Sequence, residues 1–246
     1  MHKFDRRRQL ASATLVLAVL WVITPALAQL SRTFMPGTGV EPTFRIENTP
    51  CCNTTGSTAA ASETETKALA IAGNRVVRNG KQLRLRLDGN RSLTITSCDE
   101  EKPDCDGFSR WRSYRFVTYW PAQHYYVVEV GFYEGAGAYL ISETDGQVTY
   151  VYAPPVISPS GHYAIANDVG GYGQGLQLID LRSLLPVVRE LSLPTCSDRK
   201  PGESVRKTPV WVDDSHVKFE GLSFPYGPTN SIELLKVSDG KAEWEC

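Results

Sequence analysis

Apolar and polar residues alternate over short runs along most of this chain. Leu83, Leu85 and Leu87 alternate with Arg84 and Arg86, and Ser92 to Thr96 alternates again through Leu93 and Ile95. A period of two sends successive side chains to opposite faces, so each run predicts a half-buried strand. Asp88-Gly89-Asn90 between them makes the pair a hairpin. The same reading gives strands over Tyr114 to Trp120, His124 to Val130, Ala138 to Ser142 and Gln147 to Tyr152, the last two joined by an Asp145-Gly146 turn. Val156 to Leu191 reads as three or four more strands cut by turns. Beyond a polar loop from Pro194 to Thr208 come Val210 to Val212, His216 to Glu220, Ile232 to Val237, an Asp239-Gly240 turn and Lys241 to Cys246. No window shows a clean helical period, so the folded part, from near Ala68 onward, is expected to be all-β.

These strands fall into a repeat. His124, His162 and His216 each open a strand just after a turn, and sixteen residues later stand Leu140, Leu178 and Ile232, each inside the next apolar strand. Ala68 to Ser97 reads as a degenerate first copy. Four units of about forty residues suit the four-stranded blades of a propeller. The turn Ser158-Pro159-Ser160-Gly161 resembles the S-P-D-G turn in blades of the Tol-system propeller and of WD-repeat proteins. Ser160 stands where those families carry Asp, the matching turns are Pro121-Ala122-Gln123 and Asp213-Asp214-Ser215, and no Trp-Asp dipeptide occurs. The resemblance covers one turn well and about 130 residues loosely, and it implies a fold but no activity. The expected architecture is a small or partial β-propeller of about four antiparallel units. A two-sheet β-sandwich made from the same strands is the alternative.

The start of the chain changes the picture of where the protein works. His2 to Arg8 is basic, Leu10 to Pro25 is mostly apolar, and Ala26-Leu27-Ala28 has the small residues of a cleavage site. That order predicts a secretory signal peptide over residues 1–28. Arg7-Arg8 is read either as an ordinary basic segment or as a twin-arginine signal. Gln29 follows the cleavage site where a lipid anchor needs cysteine. Residues 29–67, rich in Thr, Ser, Ala, Gly and Pro, read as an extended leader or linker, and 68–246 as one β-repeat domain. The expected location is periplasmic or extracellular, with no membrane span after cleavage.

Of 26 Lys and Arg and 27 Asp and Glu, Lys3, Arg6, Arg7, Arg8 and Asp5 fall in the signal, leaving 22 and 26 and a net charge of −4. With no basic block, nucleic acid is excluded as an expected partner. All six cysteines lie beyond the signal, at Cys51, Cys52, Cys98, Cys105, Cys196 and Cys246. An even count in an exported chain suggests disulfides. Cys98 with Cys105 closes a short loop, and Cys196 with Cys246 ties the last unit. Cys51 and Cys52 then pair with each other or reach the C-terminal pair. No C-x-x-C occurs, so neither a redox motif nor a zinc knuckle is expected.

Candidate chemistry is sparse. The three repeat-equivalent histidines invite a metal, since imidazoles at matching places could converge. A post-turn position that tolerates a polar side chain gives the same pattern. Asp99, Glu100, Glu101, Asp104 and Asp106 read either as hard oxygen donors for calcium or as a solvated acidic loop. Phe108 to Tyr139 holds eleven aromatics, and alternation puts Tyr114, Phe116 and Trp120 on one face with Tyr119 on the other. Such a strand is core or a surface for peptide or glycan. Tyr133, Tyr172 and Tyr226 each sit beside glycine in a loop and would form an aromatic rim if those loops share a face. There is no G-x-S-x-G, H-E-x-x-H or P-loop, and no cofactor is implied. The expectation is a binding module for a protein or glycan partner rather than an enzyme. The rivals are a hydrolase or lyase acting on glycan, using the histidines with Glu129 or Glu134, and a purely structural envelope protein.

Overall fold

The structure is a computed structural model, and it describes residues 44–45, 62–98, 112–132, 135–168, 175–192, 208–220, 222–223, 227–228 and 233–245. All of them fall in one compact unit, Met35–Cys246. The strands, in chain order, are β1 (Phe44–Arg45), β2 (Val76–Asn79), β3 (Gln82–Arg86), β4 (Ser92–Thr96), β5 (Ser113–Trp120), β6 (Tyr125–Phe132), β7 (Gly135–Ser142) and β8 (Gln147–Val151). They continue with β9 (Val156–Ile157), β10 (Tyr163–Asn167), β11 (Leu176–Asp180), β12 (Val187–Leu191), β13 (Thr208–Trp211), β14 (His216–Glu220), β15 (Leu222–Ser223), β16 (Gly227–Pro228), β17 (Glu233–Ser238) and β18 (Lys241–Glu245). Every pairing is antiparallel.

Four meanders follow one another along the chain. The first sheet is β2-β3-β4, the second β5-β6-β7-β8 with β1 added outside β8, the third β9-β10-β11-β12, and the fourth β13-β14-β17-β18. A two-stranded ribbon, β15-β16, lies within the β14–β17 connection. This is not the pair of facing sheets that a sandwich requires. The third sheet is covered on both sides instead. One of its faces, with Ala164, Ala166 and Ile179, packs on Trp120, Tyr125, Val127 and Leu140 of the second sheet. Its other face, with Tyr163, Ile165 and Leu178, packs on Val217, Phe219, Leu235 and Val237 of the fourth.

The repeat register holds for two units and slips in the last. Val127 pairs with Leu140, and Ile165 with Leu178, so the strand positions three after His124 and His162 meet the predicted leucines. In the fourth sheet Phe219, three after His216, pairs with Glu233, one residue beyond Ile232. The backbone shows the same slip. Glu143 N–H donates to His124 O and Leu181 N–H to His162 O, both at 2.8 Å, but Val237 N–H donates to Ser215 O.

Two local features depart from the alternation. A β-bulge between Phe116 and Thr118 inserts Val117 into β5. An extra residue reverses the facing of everything after it. Phe116 therefore shares a face with Val128, Trp120 turns with Tyr125 into the opposite core, and Tyr119 lies beside Tyr126. The expected grouping of Tyr114, Phe116 and Trp120 is corrected accordingly.

The second departure is a helix, α1 (Glu63–Ala72), which starts inside the stretch read as leader. Ser62 caps it, its side chain accepting from Glu65 N–H at 3.2 Å, and Gly73, at φ 60°, ends it. Glu65 is 4% exposed, and its Oε1 accepts from Phe116 N–H at 2.8 Å and from Arg78 Nη2. Arg78 also donates to Tyr114 O at 2.7 Å, so one buried pair fastens the helix to β5 and the first sheet.

Cys98 forms an isolated bridge with Arg112. The other five cysteines, the acidic residues 99–106, Tyr133, Glu134, Tyr172 and Tyr226 all lie outside the described residues. Among the described residues no helix is long and apolar enough to cross a membrane.

Removing the carboxylate of Glu65 leaves Arg78, whose side chain is 11% exposed, as an unpaired buried charge. Glu65→Ala is expected to destabilise the fold by about 3 kcal/mol in urea unfolding. Glu63→Ala, which breaks only the exposed Glu63–Lys67 pair on the same helix, is expected to cost less than about 0.5 kcal/mol.

Candidate functional site

The three first turns of the repeat sit side by side. Gly161 has φ 74°, and a Cβ there would run into the amide of Gln123 from the preceding unit. Ser160 N–H donates to Asp214 Oδ1 of the following unit at 2.6 Å. Within its own turn, Ser158 is 2% exposed, and its Oγ accepts from Tyr163 N–H at 3.1 Å. The turns that precede β6, β10 and β14 therefore share one end of the stack. Because each meander alternates direction, the strand ends that open the β6–β7, β10–β11 and β14–β17 connections lie at the other end; Tyr133, Tyr172 and Tyr226, which belong to those connections in sequence, lie outside the described residues.

The histidines share a place in the repeat but not an environment. His124 Nδ1 lies 2.9 Å from Glu143 Oε2. The imidazole of His162 has no hydrogen-bond partner among the described residues, and only its backbone is engaged. His216 Nδ1 lies 3.0 Å from both carboxylate oxygens of Asp213 and from Ser215 Oγ. Backbone and hydroxyl donors of Ser215, with the His216 ring, hold the Asp213 carboxyl down at about 2. Two of the three rings are thus tied to their own carboxylates. No group of three or more His, Cys, Asp and Glu able to hold a metal occurs among the described residues. Glu129 is engaged by Arg115 and stands on β6 five residues from His124, roughly 16 Å along an extended strand.

Glu143 is the centre of the densest polar cluster. It lies in the turn after β7 with its side chain 5% exposed. Oε1 accepts from Arg75 Nη1, and Oε2 accepts from Tyr119 Oη at 2.5 Å and faces His124 Nδ1. The Arg75 guanidinium lies 5.0 Å above the Tyr119 ring, which stacks 4.9 Å from Tyr126. Tyr126 Oη donates to Arg86 O, and Asp88 N–H donates to Glu143 O at 2.9 Å, tying the cluster to the first sheet. Burial by itself raises the Glu143 carboxyl. The hydrogen bonds from Tyr119 and His124 and the charge of Arg75 outweigh it and leave the group below the ordinary carboxylate value. Burial, then the bond to Glu143, pushes the Tyr119 phenol well up, and burial pushes Tyr126 up to about 12. Both phenols remain donors at neutral pH. Sequence spacing could not have found this cluster, because its members are up to 68 residues apart.

The opposite end of the second sheet is aromatic. Tyr114, Tyr139, Tyr150, Phe132 and Tyr152 form a chain of ring contacts between 6.1 and 6.3 Å, and Arg112 lies 4.5 Å above Phe132. Phe132, Tyr139 and Tyr150 are buried, while Tyr114 and Tyr152 are half-buried.

The Glu143 cluster sets a pH dependence. A carboxyl whose value is depressed by folding adds stability that is complete above its unfolded value, about 4.3, and is lost as pH falls through the folded one. Glu143→Gln is expected to cost about 1–2 kcal/mol at neutral pH, since the exposed sides of Arg75 and His124 remain hydrated. That gap between variant and parent should close as pH is lowered below about 4.3, followed by urea unfolding at each pH.

No protein family's sequence signature matches this chain, and no curated protein matches it. Among solved structures, that of a protein from Lactobacillus plantarum aligns with a TM-score of 0.36 and 15% identity over 67% of this chain and 50% of the other. The chain so spans about half the length of that neighbour, and a likeness of this size carries no conclusion about fold or activity.

Proposed function

We propose that this protein is an exported binding module, a partial β-propeller of about four units whose tyrosine-bearing loops meet a protein or glycan partner in the cell envelope or outside the cell. The observation that carries the reading is the contact among the three first turns, Gln123 against Gly161 and Ser160 to Asp214. Units aligned in that way send their second connections to a common end. Tyr133, Tyr172 and Tyr226 occupy those connections, and the ring chain ending at Phe132 runs toward the same end. Aromatic side chains on loops held by rigid strands are suited to stacking on sugar faces or gripping apolar side chains. Export supports disulfides, with Cys98–Cys105 and Cys196–Cys246 as the pairs and Cys51-Cys52 joined to each other or to the last pair.

Two measurements test the reading. Mass spectrometry of the protein recovered from its native cells should find an N-terminus at Gln29, and retention of residues 1–28 would count against export. Binding to purified envelope glycan and envelope protein fractions should fall about tenfold or more in Tyr133→Ala, Tyr172→Ala or Tyr226→Ala. His162→Ala and His216→Ala, at the other end of the strands, should bind as the parent does.

A further inference from the structure

We propose that the outward face of the first sheet is a docking surface for a carboxylate-bearing polysaccharide, gripped by the guanidiniums of Arg84 and Arg86 and by the hydroxyl and amide side chains beside them. Along β3, Leu83 and Leu85 are fully buried, while Gln82, Arg84 and Arg86 are exposed on the other side. Side chains two apart on a strand share a face at a spacing of about 7 Å, so the two arginines stand in one row. Register gives each member of the row a hydroxyl neighbour on β4: Thr96 lies opposite Gln82, Thr94 opposite Arg84 and Ser92 opposite Arg86. Residues so opposed have their Cβ atoms about 5 Å apart, close enough to meet one ligand together. No residue of β2, β3 or β4 is acidic. Arg78, the remaining arginine of these strands, alternates to the inner side and is taken up by Glu65.

The two cations are uncompensated, which sets them apart. Arg75, Arg78, Arg115 and Arg182 each meet a carboxylate. Neither the Arg84 nor the Arg86 side chain makes an ion pair or a hydrogen bond among the described residues, although like charges on one face repel. Charges that guard a sheet against pairing belong on its edges, and β3 is the central strand. The chemistry of the row selects the occupant. Each guanidinium presents a planar donor fork that matches a carboxylate. Hydroxyl and amide groups both donate and accept, so Gln82, Ser92, Thr94 and Thr96 suit the hydroxyls of the sugar rings between those charges. An extended acidic peptide would bring main-chain N–H and C=O groups to a sheet face, where no backbone is free to pair with them. A membrane surface would need apolar side chains to insert, and Val77, opposite Arg84, is the one apolar residue of these strands on this face. The surface belongs to a sheet face of the first unit, so it needs neither the tyrosine loops nor the partner assigned to them.

The test is a calorimetric titration of the full chain at neutral pH and low salt against polygalacturonate, dextran, poly-glutamate and phosphatidylglycerol vesicles. Polygalacturonate is expected to bind, more weakly as salt is raised, and dextran not to bind. Poly-glutamate, which carries the carboxylates without the sugar, and the vesicles should bind at least about tenfold more weakly. Changing both Arg84→Gln and Arg86→Gln should weaken polygalacturonate binding about tenfold or more. Changing both Lys236→Gln and Lys241→Gln removes the same charge from exposed positions of the fourth sheet and should leave binding as in the parent. If the arginine variant does not fold, backbone amide shifts of the parent serve in its place, and polygalacturonate should move those of β2, β3 and β4. The proposal is overturned if polygalacturonate does not bind, if dextran, poly-glutamate or the vesicles bind as tightly, if the lysine variant loses as much as the arginine variant, or if the shifts fall outside the first sheet.

Discussion

Two apolar layers, one on each face of the third sheet, hold the rest of the structure in place. Along β10 and β11 every residue is buried, and neighbours in sequence serve different cores: Ala164 faces the second sheet and Tyr163 and Ile165 the fourth. Small side chains at Ala164 and Ala166 leave room for Trp120 and Tyr125, and this matching of small to large is how sheets reach interior packing density. A sheet pinned on both sides cannot slide by one residue without moving its apolar set out of both cores. The end-to-end alignment of the first turns follows from that constraint. Gln123, Ser160 and Asp214 meet because the strands behind them are already fixed.

Much of this was legible, and what was not has identifiable physical causes. The alternation at Leu83–Leu87 and Leu93–Ile95, the Asp-Gly turns and the histidine-to-leucine spacing report local periodicity, and β3, β4, β7 and β8 and the first two registers follow from them. Helix α1 escaped because its apolar residues, Ala68 to Ala72, run consecutively and do not mark one core face; Ile71 is 89% exposed. A signal was present all the same, in Ser62 followed three residues later by Glu65 and closed by Gly73. The bulge at Val117 is a different matter. No residue in Arg115 to Tyr119 announces an extra position, yet it decides that Tyr119, and not Trp120, reaches Glu143. The slip in the last unit is similar, since one residue of register is invisible to a spacing argument.

The two buried glutamates show why burial alone does not point to chemistry. Glu65 and Arg78 are both turned inward, and their bonds go to each other and to β5. Such a pair fixes where a helix docks and offers nothing to a ligand. Glu143 is as buried, but two of its three side-chain partners, Arg75 and His124, reach solvent. Its two oxygens are taken up inside by Tyr119, Arg75 and His124, while the far sides of Arg75 and His124 meet water. The same residue type thus closes a wholly buried pair in one case and joins a phenol to two exposed side chains in the other, and the difference lies in the exposure of its partners.

Tyrosine hydroxyls also link successive units. Tyr125 and Tyr163 each stand one residue after a repeat histidine, and each reaches into the last turn of the following unit. Tyr125 Oη donates to Leu184 O at 3.2 Å, and Tyr163 Oη accepts from Gly240 N–H at 3.0 Å. The equivalent residue of the fourth unit is Val217, which has no hydroxyl and turns into the core shared with the third sheet. Beyond it the outward side of the fourth sheet carries Lys236, Lys241 and Glu243, all exposed. At the other end of the array, Gln82, Arg84 and Arg86 are exposed on the outward side of the first sheet. A closed ring would press these two faces together and bury their charges without partners. Among the described strands none of the fourth sheet pairs with the first. Polar outer faces let the first and fourth sheets meet water, and among the described strands the stack is not closed.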